Sequence, residues 1–282
     1  MSKIYITADS SVDLTKEILD KYEIQTRPFI VTVGGESYED GITINPEKLY
    51  EEARRTNALP KTAAINVAVY EDFFKELTAD GAKVIHFNIS SGFSSSHQNA
   101  VIAAEEIEGV FPIDSLNLST GTALLALKAS ELVKEGKEAE EIVEIVNSLR
   151  DKVEASFVVD TLEFLYKGGR CSALSALGAN LLKLRPCIEV KDGKMGVGKK
   201  YRGKIEDCFY AYVKDRLDGR DDLDLSRIFI TNSGNVSDET IDNIEKLILE
   251  RAPFKEVLKT TAGCTISSHC GPGTLGILFL KK

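Results

Sequence analysis

The chain is short of positive charge and of the residues that bind metals. In 282 residues, Lys and Arg total 35 against 44 Asp and Glu, which gives a formal net charge of −9. Nucleic acids and anionic membranes attract proteins whose field is positive, so this balance argues against both as partners. There are only three histidines, and no second histidine or carboxylate stands at ligand spacing beside His269. We therefore expect neither a bound metal nor a cofactor.

The cysteines, too, lack the patterns that carry chemistry. They are odd in number and form no C-x-x-C pair, which excludes a disulfide framework and a zinc ribbon. No apolar run reaches 18 residues, and the first residues, MSKIYITADSS, begin as a strand rather than as a signal peptide. We expect a cytoplasmic monomer whose thiols stay reduced and buried; they are Cys171, Cys187, Cys208, Cys264 and Cys270.

What the chain does contain is enough apolar sequence, 43%, for two hydrophobic cores. Short strand patterns alternate with helical ones in the first half, and residues 24–35 read as one strand. Helices between strands indicate crossovers and hence a parallel sheet. Asn45 and Pro46 should begin a helix as N-cap and first helical residue. Two long helical patterns, residues 120–136 and 138–153, close this half.

The second half has a different sequence pattern, with helices that are short or interrupted by glycine, and Asp192-Gly193 predicts a β-hairpin there. We predict an α/β fold of two domains. Residues 1–152 would form a Rossmann-like domain with a mainly parallel sheet, and residues 153–282 an α/β sandwich with a mixed sheet.

Two glycine-rich segments resemble nucleotide-binding loops without their context. GPGTLG, residues 271–276, matches G-x-G-x-x-G, but only one further strand follows, so a dinucleotide site is rejected. GKMGVGKK, residues 193–200, has phosphate-loop spacing but carries Lys200 where the magnesium-binding hydroxyl belongs. Its basic residues leave two interpretations, a solvated hairpin or a local site for an anionic group or partner.

Five serines crowd one loop, ISSGFSSS, between a buried strand and a helix predicted over residues 100–104. One serine could cap the helix, and the others would leave hydroxyls at a helix N-terminus that favours an anion. Of the histidines, His86 lies within a strand, as core or edge residues do, and His97 falls in the first helical turn, at the surface or as a cap. His269 lies among serines and a glycine turn, where side chains can converge on a ligand.

A serine hydrolase is the first alternative, because Ser94, Asp114 or Asp160, and His269 follow the chain order of α/β-hydrolases. The segment Gly92 to Ser96 lacks the second glycine of the G-x-S-x-G turn, which weakens this interpretation.

Several motifs together resemble the DegV family, bacterial fatty-acid-binding proteins that include the FakB-type subunits of fatty acid kinase. The resemblance covers the whole chain and rests most on LYKGGR and HCGPGTLGI, with ADSSVDL, PKTAAIN, ISSGFSSS, IDSLNLSTG and the segment LLKLRPCIEVKDGKMGVGKKYRG in the same order. It implies two α/β domains that hold one long-chain fatty acid in a tunnel between them. We expect residues 120–129 and 173–184 to line that tunnel.

By this resemblance, Thr62, Ser94 and His269 hold the fatty-acid carboxylate. Arg170 and Arg202 match basic residues near the head-group end, and Ser95 and Gly271 are placed in that region or at a partner-docking surface. The family commonly has Ser-Gly-Thr-Tyr where this chain has Ser94-Ser95-Ser96-His97, which keeps Ser94 but alters the loop beside it.

The resulting interpretation is a carrier with no catalytic residue of its own. A separate ATP-dependent kinase subunit would convert the bound carboxylate to an acyl phosphate that feeds phospholipid synthesis. The alternatives left open are a lipid esterase or thioesterase acting through Ser94, and a lipid-responsive binding protein without a kinase partner.

Overall fold

The computed structural model describes residues 2–172 and 184–282, which form three β-sheets covered by helices. The strands within these ranges are β1 (Ile4–Asp9), β2 (Ile24–Arg27), β3 (Ile30–Val33), β4 (Glu36–Glu39), β5 (Lys61–Ala63), β6 (Lys83–Asn88), β7 (Val110–Asp114), β8 (Val153–Val158), β9 (Arg185–Lys191), β10 (Lys194–Tyr201), β11 (Leu223–Asn232), β12 (Val257–Thr261) and β13 (Leu275–Lys281).

The α-helices within the same ranges are α1 (Lys16–Tyr22), α2 (Pro46–Thr56), α3 (Val67–Thr78), α4 (Ser96–Ala104), α5 (Ser119–Lys134), α6 (Ala139–Leu149), α7 (Glu163–Gly168), α8 (Ile205–Leu217), α9 (Asp238–Arg251) and α10 (Cys264–Cys270). Short 3-10 helices cover Ser10–Val12 and Arg150–Lys152. Within these ranges no helix has the length and apolar character needed to cross a bilayer.

The first half contains the predicted parallel sheet, with strand order β2-β1-β6-β7 and every pair parallel. Its central strand β6 is buried over most of its length, as the apolar run predicted. α2 begins as expected, since the Asn45 side chain accepts a hydrogen bond from the Lys48 N–H and Pro46 is the first helical residue. This sheet brings the carboxyl ends of β1 and β6, and the serine loop after β6, to one edge.

The prediction of a single strand over residues 24–35 is wrong. Proline has no N–H and restricts the residue before it, so Pro28 interrupts the ladder. β2 stays in the parallel sheet, whereas β3 joins a separate antiparallel sheet of order β4-β3-β5. This small sheet packs Val31 and Val33 against α2 and against Cys264 of α10. The break therefore lets the first half reach a helix of the second.

The second half contains a mixed six-stranded sheet of order β10-β9-β8-β13-β11-β12, in which only β11 and β12 pair in parallel. The predicted hairpin joins β9 to β10. Asp192 and Gly193 have φ angles of 49° and 71°, the positive values that a two-residue hairpin turn requires. The α/β class with a parallel and a mixed sheet is confirmed.

One hydrophobic core crosses the proposed domain boundary at residue 152. It combines residues of the parallel-sheet half, such as Leu124 and Leu125, with Phe157, Phe229 and Leu278 of the mixed sheet. α5 is buried on almost all sides, as expected for a helix that packs between two layers. The opposite face of the mixed sheet is covered by α8 and α9, which form a second core. The two halves thus share the packing around α5.

Candidate ligand-binding site

A cavity of about 280 Å³ lies where the serine loop, the small sheet and α10 meet. Its lining comes from both halves of the chain and includes most of the residues predicted for a binding site. The lining residues are Phe29, Thr62, Ala64, Ile89, Phe93, Ser94, Ser95, Leu118, Arg170, Met195, Thr265, Ile266, His269 and Cys270. The cavity therefore combines hydroxyls, one imidazole and one guanidinium with an apolar majority, which is typical of ligand sites.

Thr62 and His269 are in direct contact. Thr62 lies on β5, paired with Val31 of β3, and its Oγ1 is 2.9 Å from Nε2 of His269 on α10. The two residues are 207 positions apart in the sequence. An Nε2–H donated to Thr62 would leave the Thr62 hydroxyl hydrogen free for a ligand in the cavity.

The surroundings of His269 favour a neutral ring. Burial, together with the nearby positive charge of Arg170, lowers the pKa of His269 to about 4. Its Nδ1 is buried without a hydrogen-bond partner among the described residues. A Cβ on Gly168 would lie 2.6 Å from this Nδ1, so the backbone of LYKGGR can pass His269 only as glycine. His269 thus lines the cavity, and its one unpartnered ring nitrogen lies on the side that faces Gly168.

Two buried carboxylates from the first half hold the start of α10. Asp40 accepts hydrogen bonds from the backbone N–H groups of Cys264 and Thr265, at 2.6 and 3.1 Å. Asp13 accepts from the Gly263 N–H at 2.8 Å and from the Ser119 hydroxyl. Burial raises the pKa of Asp13 well above its ordinary value, although both hydrogen bonds oppose the shift. These contacts fix the helix that carries His269.

The serine loop is anchored on the hairpin of the second half. The Ser90 hydroxyl donates to the Gly193 carbonyl at 2.8 Å. A Cβ on Gly92 would lie 2.3 Å from the same carbonyl oxygen, so the close approach requires glycine there. The Asp192-Gly193 turn thus positions the loop that presents Ser94, a role that neither interpretation of the basic hairpin anticipated.

Serine capping of α4 differs from the prediction. The helix begins at Ser96 rather than near Ala100, and Ser95 occupies the N-cap position without a capping bond from its side chain. Ser94 accepts a hydrogen bond from the Ser96 N–H at 3.2 Å, and its Oγ is 3.0 Å from the Ser96 Oγ. Ser94 and Ser95 both line the cavity. Ser94 and Ser95 therefore lie at the cavity, where a ligand can bind.

A buried polar network lies next to this loop. Asp9 accepts hydrogen bonds from the Tyr70 hydroxyl at 2.6 Å and from the Asn88 amide, and it contacts His86 Nε2 at 3.1 Å. His86 is fully buried, with Nδ1 bonded to Thr7 at 2.8 Å, as expected for a core histidine. The expectation of a surface or capping role for His97 is wrong, since the ring is half-buried and its Nδ1 lies 3.2 Å from the side-chain amide oxygen of Asn88.

The cavity adjoins a second, smaller one of about 20 Å³. The two share Leu118, Ile266 and Cys270 as lining, and the smaller one also contacts Phe157 and Leu278. Polar residues line it as well, but each of their side chains is hydrogen-bonded to other protein groups; they are Ser119, Thr231, Asn232, Ser233 and Thr274. The smaller cavity is therefore apolar.

Of the segments expected to line a tunnel, residues 120–129 lie on α5 outside the lining of both cavities, which Leu118 and Ser119 reach just before them. They form core instead, because α5 packs between two sheets. The other segment, residues 173–184, falls outside the described residues except for Leu184.

Two further candidates lie outside the cavity lining. Arg202 is exposed just after β10. Gly271 ends α10 with a φ of 74°, and its carbonyl accepts from the Ser233 hydroxyl at 2.5 Å, so its role is in the turn.

Arg170, in contrast, lines the cavity and is exposed, with one guanidinium N–H bonded to the Gly168 carbonyl at 2.7 Å.

The hydrolase constellation is not assembled. Ser94 is bonded to Ser96, and His269 Nε2 to Thr62. Asp160 pairs with Arg185 at 2.8 Å, and Asp114 accepts from the backbone N–H groups of Ser91 and Leu116. A nucleophile needs a base within reach and an acid that orients that base. This arrangement supplies neither contact for Ser94.

Sequence reasoning missed Asp13, Asp40, Ser96 and Thr265. Asp13 lies in ADSSVDL and Ser96 in ISSGFSSS, so both were within recognised motifs. Asp40 follows an ordinary turn pattern, and nothing local signals that it caps a helix more than 200 residues away. Thr265 lines the cavity, and its hydroxyl is buried without a partner among the described residues.

Comparison with known proteins gives consistent matches along the whole chain. A family model described as "Uncharacterised protein, DegV family" matches residues 3–282. A DegV domain-containing protein of Clostridium acetobutylicum is 32% identical over 290 residues, with both chains fully covered. The structure of a fatty-acid-binding DegV family protein from Thermus thermophilus has a TM-score of 0.89 at 27% identity, covering 99% of this chain and 100% of that one. DegV of Bacillus subtilis, described as a fatty acid binding protein, has a TM-score of 0.83 at 27% identity, with both chains fully covered.

Proposed function

The chain belongs to the DegV family, and we propose that it binds one long-chain fatty acid, with the carboxylate at Thr62, Ser94 and His269. The observation that carries this proposal is the cavity that these three residues line together with an apolar majority, beside a small apolar space that shares part of its lining. The relatives from Thermus thermophilus and Bacillus subtilis, described as fatty acid binding, support the same ligand class.

The head-group chemistry suits a carboxylate. The anion needs hydrogen-bond donors, and the Thr62 and Ser94 hydroxyls in the cavity lining can supply them. Arg170 adds positive charge close enough to lower the pKa of His269. Hydrogen bonds to a charged group are stronger than neutral ones, so these residues would fix the orientation of the ligand.

The apolar part would supply most of the affinity. Burying ~14 methylenes at ~0.8 kcal/mol each is worth about 11 kcal/mol before the costs of ordering. Each head-group hydrogen bond contributes a net ~1 to 3 kcal/mol. Loss of one head-group residue should therefore weaken binding without abolishing it.

Under this proposal the protein is a cytoplasmic carrier that presents the carboxylate to a separate ATP-dependent kinase subunit. That subunit would form an acyl phosphate for phospholipid synthesis. Exposed Arg170 at the cavity is the residue best placed to neutralise the added phosphoryl charge, because positioning and electrostatics dominate phosphoryl transfer. Arg202, exposed but outside the cavity, would act in docking the kinase.

The first test is mass spectrometry of the purified protein, under native conditions and after solvent extraction. We expect one fatty acid per chain, retained less well by Thr62→Ala, Ser94→Ala and His269→Ala. A protein that carries no fatty acid and takes up none when it is added would overturn the carrier proposal. The matched control is Ser91→Ala, an exposed hydroxyl of the same loop.

The kinase part is tested separately by co-purification with an ATP-binding partner and by acyl phosphate formation in the mixture. Arg202→Ala should bind fatty acid as the wild type does and yield less product, whereas Arg170→Ala should bind it more weakly and, at saturating fatty acid, also yield less product. Full product formation by either variant would remove that arginine from the role. Fatty-acid binding with no partner would leave a lipid-responsive binding protein.

A further inference from the structure

Ser96 lies behind Ser94, fully buried, at the start of α4. We propose that Ser96 is a positioning residue that turns the Ser94 hydroxyl toward the cavity as a hydrogen-bond donor. It thereby makes the site prefer a carboxylate to an uncharged head group. This inference rests on the proposed function, since it concerns how the same site distinguishes one ligand head group from another.

The first step concerns the lone pairs of Ser94. A hydroxyl oxygen accepts two hydrogen bonds and donates one. The Ser96 N–H donates to the Ser94 Oγ at 3.2 Å. If the Ser96 hydroxyl also donates across its 3.0 Å contact, both lone pairs of Ser94 are occupied. The Ser94 hydrogen then has only the cavity to point into, where it can serve an anion.

The second step concerns what fixes the Ser96 hydroxyl. Its oxygen accepts the Ile65 N–H at 3.2 Å, and the acceptors beside its hydrogen are the Ser94 and Tyr70 hydroxyls. Ser96 lies close enough to affect that phenol. Burial raises the pKa of Tyr70 far above its ordinary value, and hydrogen bonds from Ser96 and Asn88 oppose this shift.

The Tyr70 oxygen, however, already has a donor. Tyr70 gives its own hydrogen to Asp9 at 2.6 Å and accepts the Asn88 amide at 3.0 Å. Asp9 is a carboxylate acceptor that also takes the Ile89 N–H at 3.3 Å, so the direction of these bonds is set from the buried end. A phenolic oxygen shares lone-pair density with its ring and accepts less readily than an aliphatic hydroxyl, so, with the Asn88 amide already bonded to Tyr70, the Ser96 hydrogen goes to Ser94. The buried network around Asp9 thus determines which part of Ser94 meets the ligand.

The consequence is a discrimination between head groups. Without the Ser96 hydroxyl, Ser94 regains a free lone pair and its hydrogen is no longer confined to the cavity. An alcohol can then accept from or donate to Ser94, whereas a carboxylate can only accept. Loss of Ser96 should cost a fatty acid more than it costs the corresponding alcohol. A purely structural defect would weaken both ligands alike.

The experiment measures dissociation constants of palmitate and hexadecan-1-ol for delipidated protein by titration calorimetry. In Ser96→Ala and Ser96→Cys we expect the preference for the acid to fall about three- to tenfold, because a thiol is a poor donor. Ser96→Thr, which keeps a hydroxyl, should retain the preference, and Ser91→Ala should leave it unchanged. Thermal unfolding reports whether each variant is folded.

The coupling is tested in a Ser94→Ala background, where Ser96→Ala should no longer change the preference because the residue it acts through is gone. Wild-type protein that binds neither ligand overturns the proposed function and this inference with it. Wild-type protein that binds palmitate, with the same acid preference in every folded Ser96 variant, overturns this inference alone. A stronger acid preference in Ser96→Ala also overturns it, since Ser94 would then have presented a lone pair.

Discussion

His86 and His269 belong to two polar centres that differ in how completely their polar atoms are hydrogen-bonded. Both ring nitrogens of His86 have partners, Thr7 at 2.8 Å and Asp9 at 3.1 Å, and the ring is fully buried. His269 has Thr62 at Nε2, while its Nδ1 is buried without a partner among the described residues. The centre around His86 is complete by itself, and that around His269 retains polar capacity.

The difference separates a structural network from a binding site. A buried polar group costs free energy unless it is hydrogen-bonded, so native networks are normally satisfied. The Asp9 centre follows that rule and serves as a rigid support. The Thr265 hydroxyl and His269 Nδ1 break the rule in two residues that line the cavity, with Nδ1 itself facing Gly168. Such exceptions occur where a ligand or a strained function accounts for them.

The largest effect should come from breaking the satisfied centre. Asp9→Ala leaves the Tyr70 hydroxyl, the His86 ring and the Ile89 N–H without their shared acceptor in a fully buried place. We expect a loss of about 3 to 5 kcal/mol in the free energy of unfolding, measured in urea. Asp20→Asn is the control, because its pair with Lys16 is exposed and such pairs contribute less than about 1 kcal/mol. An unchanged midpoint for Asp9→Ala would show that the network is not structural.

The second effect is a pH dependence that belongs to His269. Its pKa is about 4 in the folded protein against 6.5 in the unfolded chain, because burial disfavours the charged ring. Between these values the unfolded chain binds more protons, so stability falls as the pH is lowered from 6.5 toward 4.

The loss attributable to His269 is at most about 3 kcal/mol for the full shift, and less because the ring is partly exposed. The measurement is the difference in unfolding free energy between wild type and His269→Gln across this range, which cancels the contribution of His97. A difference that does not change with pH would contradict the neutral ring. Bound fatty acid should reduce the slope, since its carboxylate favours the protonated imidazole.

The smallest effect should come from Ser95, which occupies a capping position but faces the cavity. Its side chain makes no capping bond to α4, so Ser95→Ala should change the free energy of unfolding by less than about 0.5 kcal/mol. Asn45→Ala removes a formed cap on α2 and should cost about 1 kcal/mol. Equal losses in both variants would place Ser95 among the structural residues instead.

Local sequence patterns predicted much of the architecture. The apolar run of β6, the Asn45-Pro46 helix start and the Asp192-Gly193 turn depend on neighbouring residues, and each is present as predicted. Residues 24–35 show the limit, because propensity favours a strand on both sides of Pro28. Which sheet each side joins depends on partners far along the chain.

The candidate site divides in the same way. The serine loop could be recognised by composition, and the whole-chain motifs indicated Thr62, Ser94 and His269. The contact between Thr62 and His269 spans 207 residues, and the bond from Cys264 to Asp40 spans 224. No local pattern encodes such separations.

What the sequence by itself determined is the set of elements and the chemistry available to them, because helix caps, turns and apolar periodicity act over a few residues. Only the tertiary structure decided that Asp9 and His86 would satisfy one another while His269 would not. Whether a polar group is hydrogen-bonded depends on which groups lie near it in space. These polar groups come together only when the two halves of the chain pack against α5 and α10.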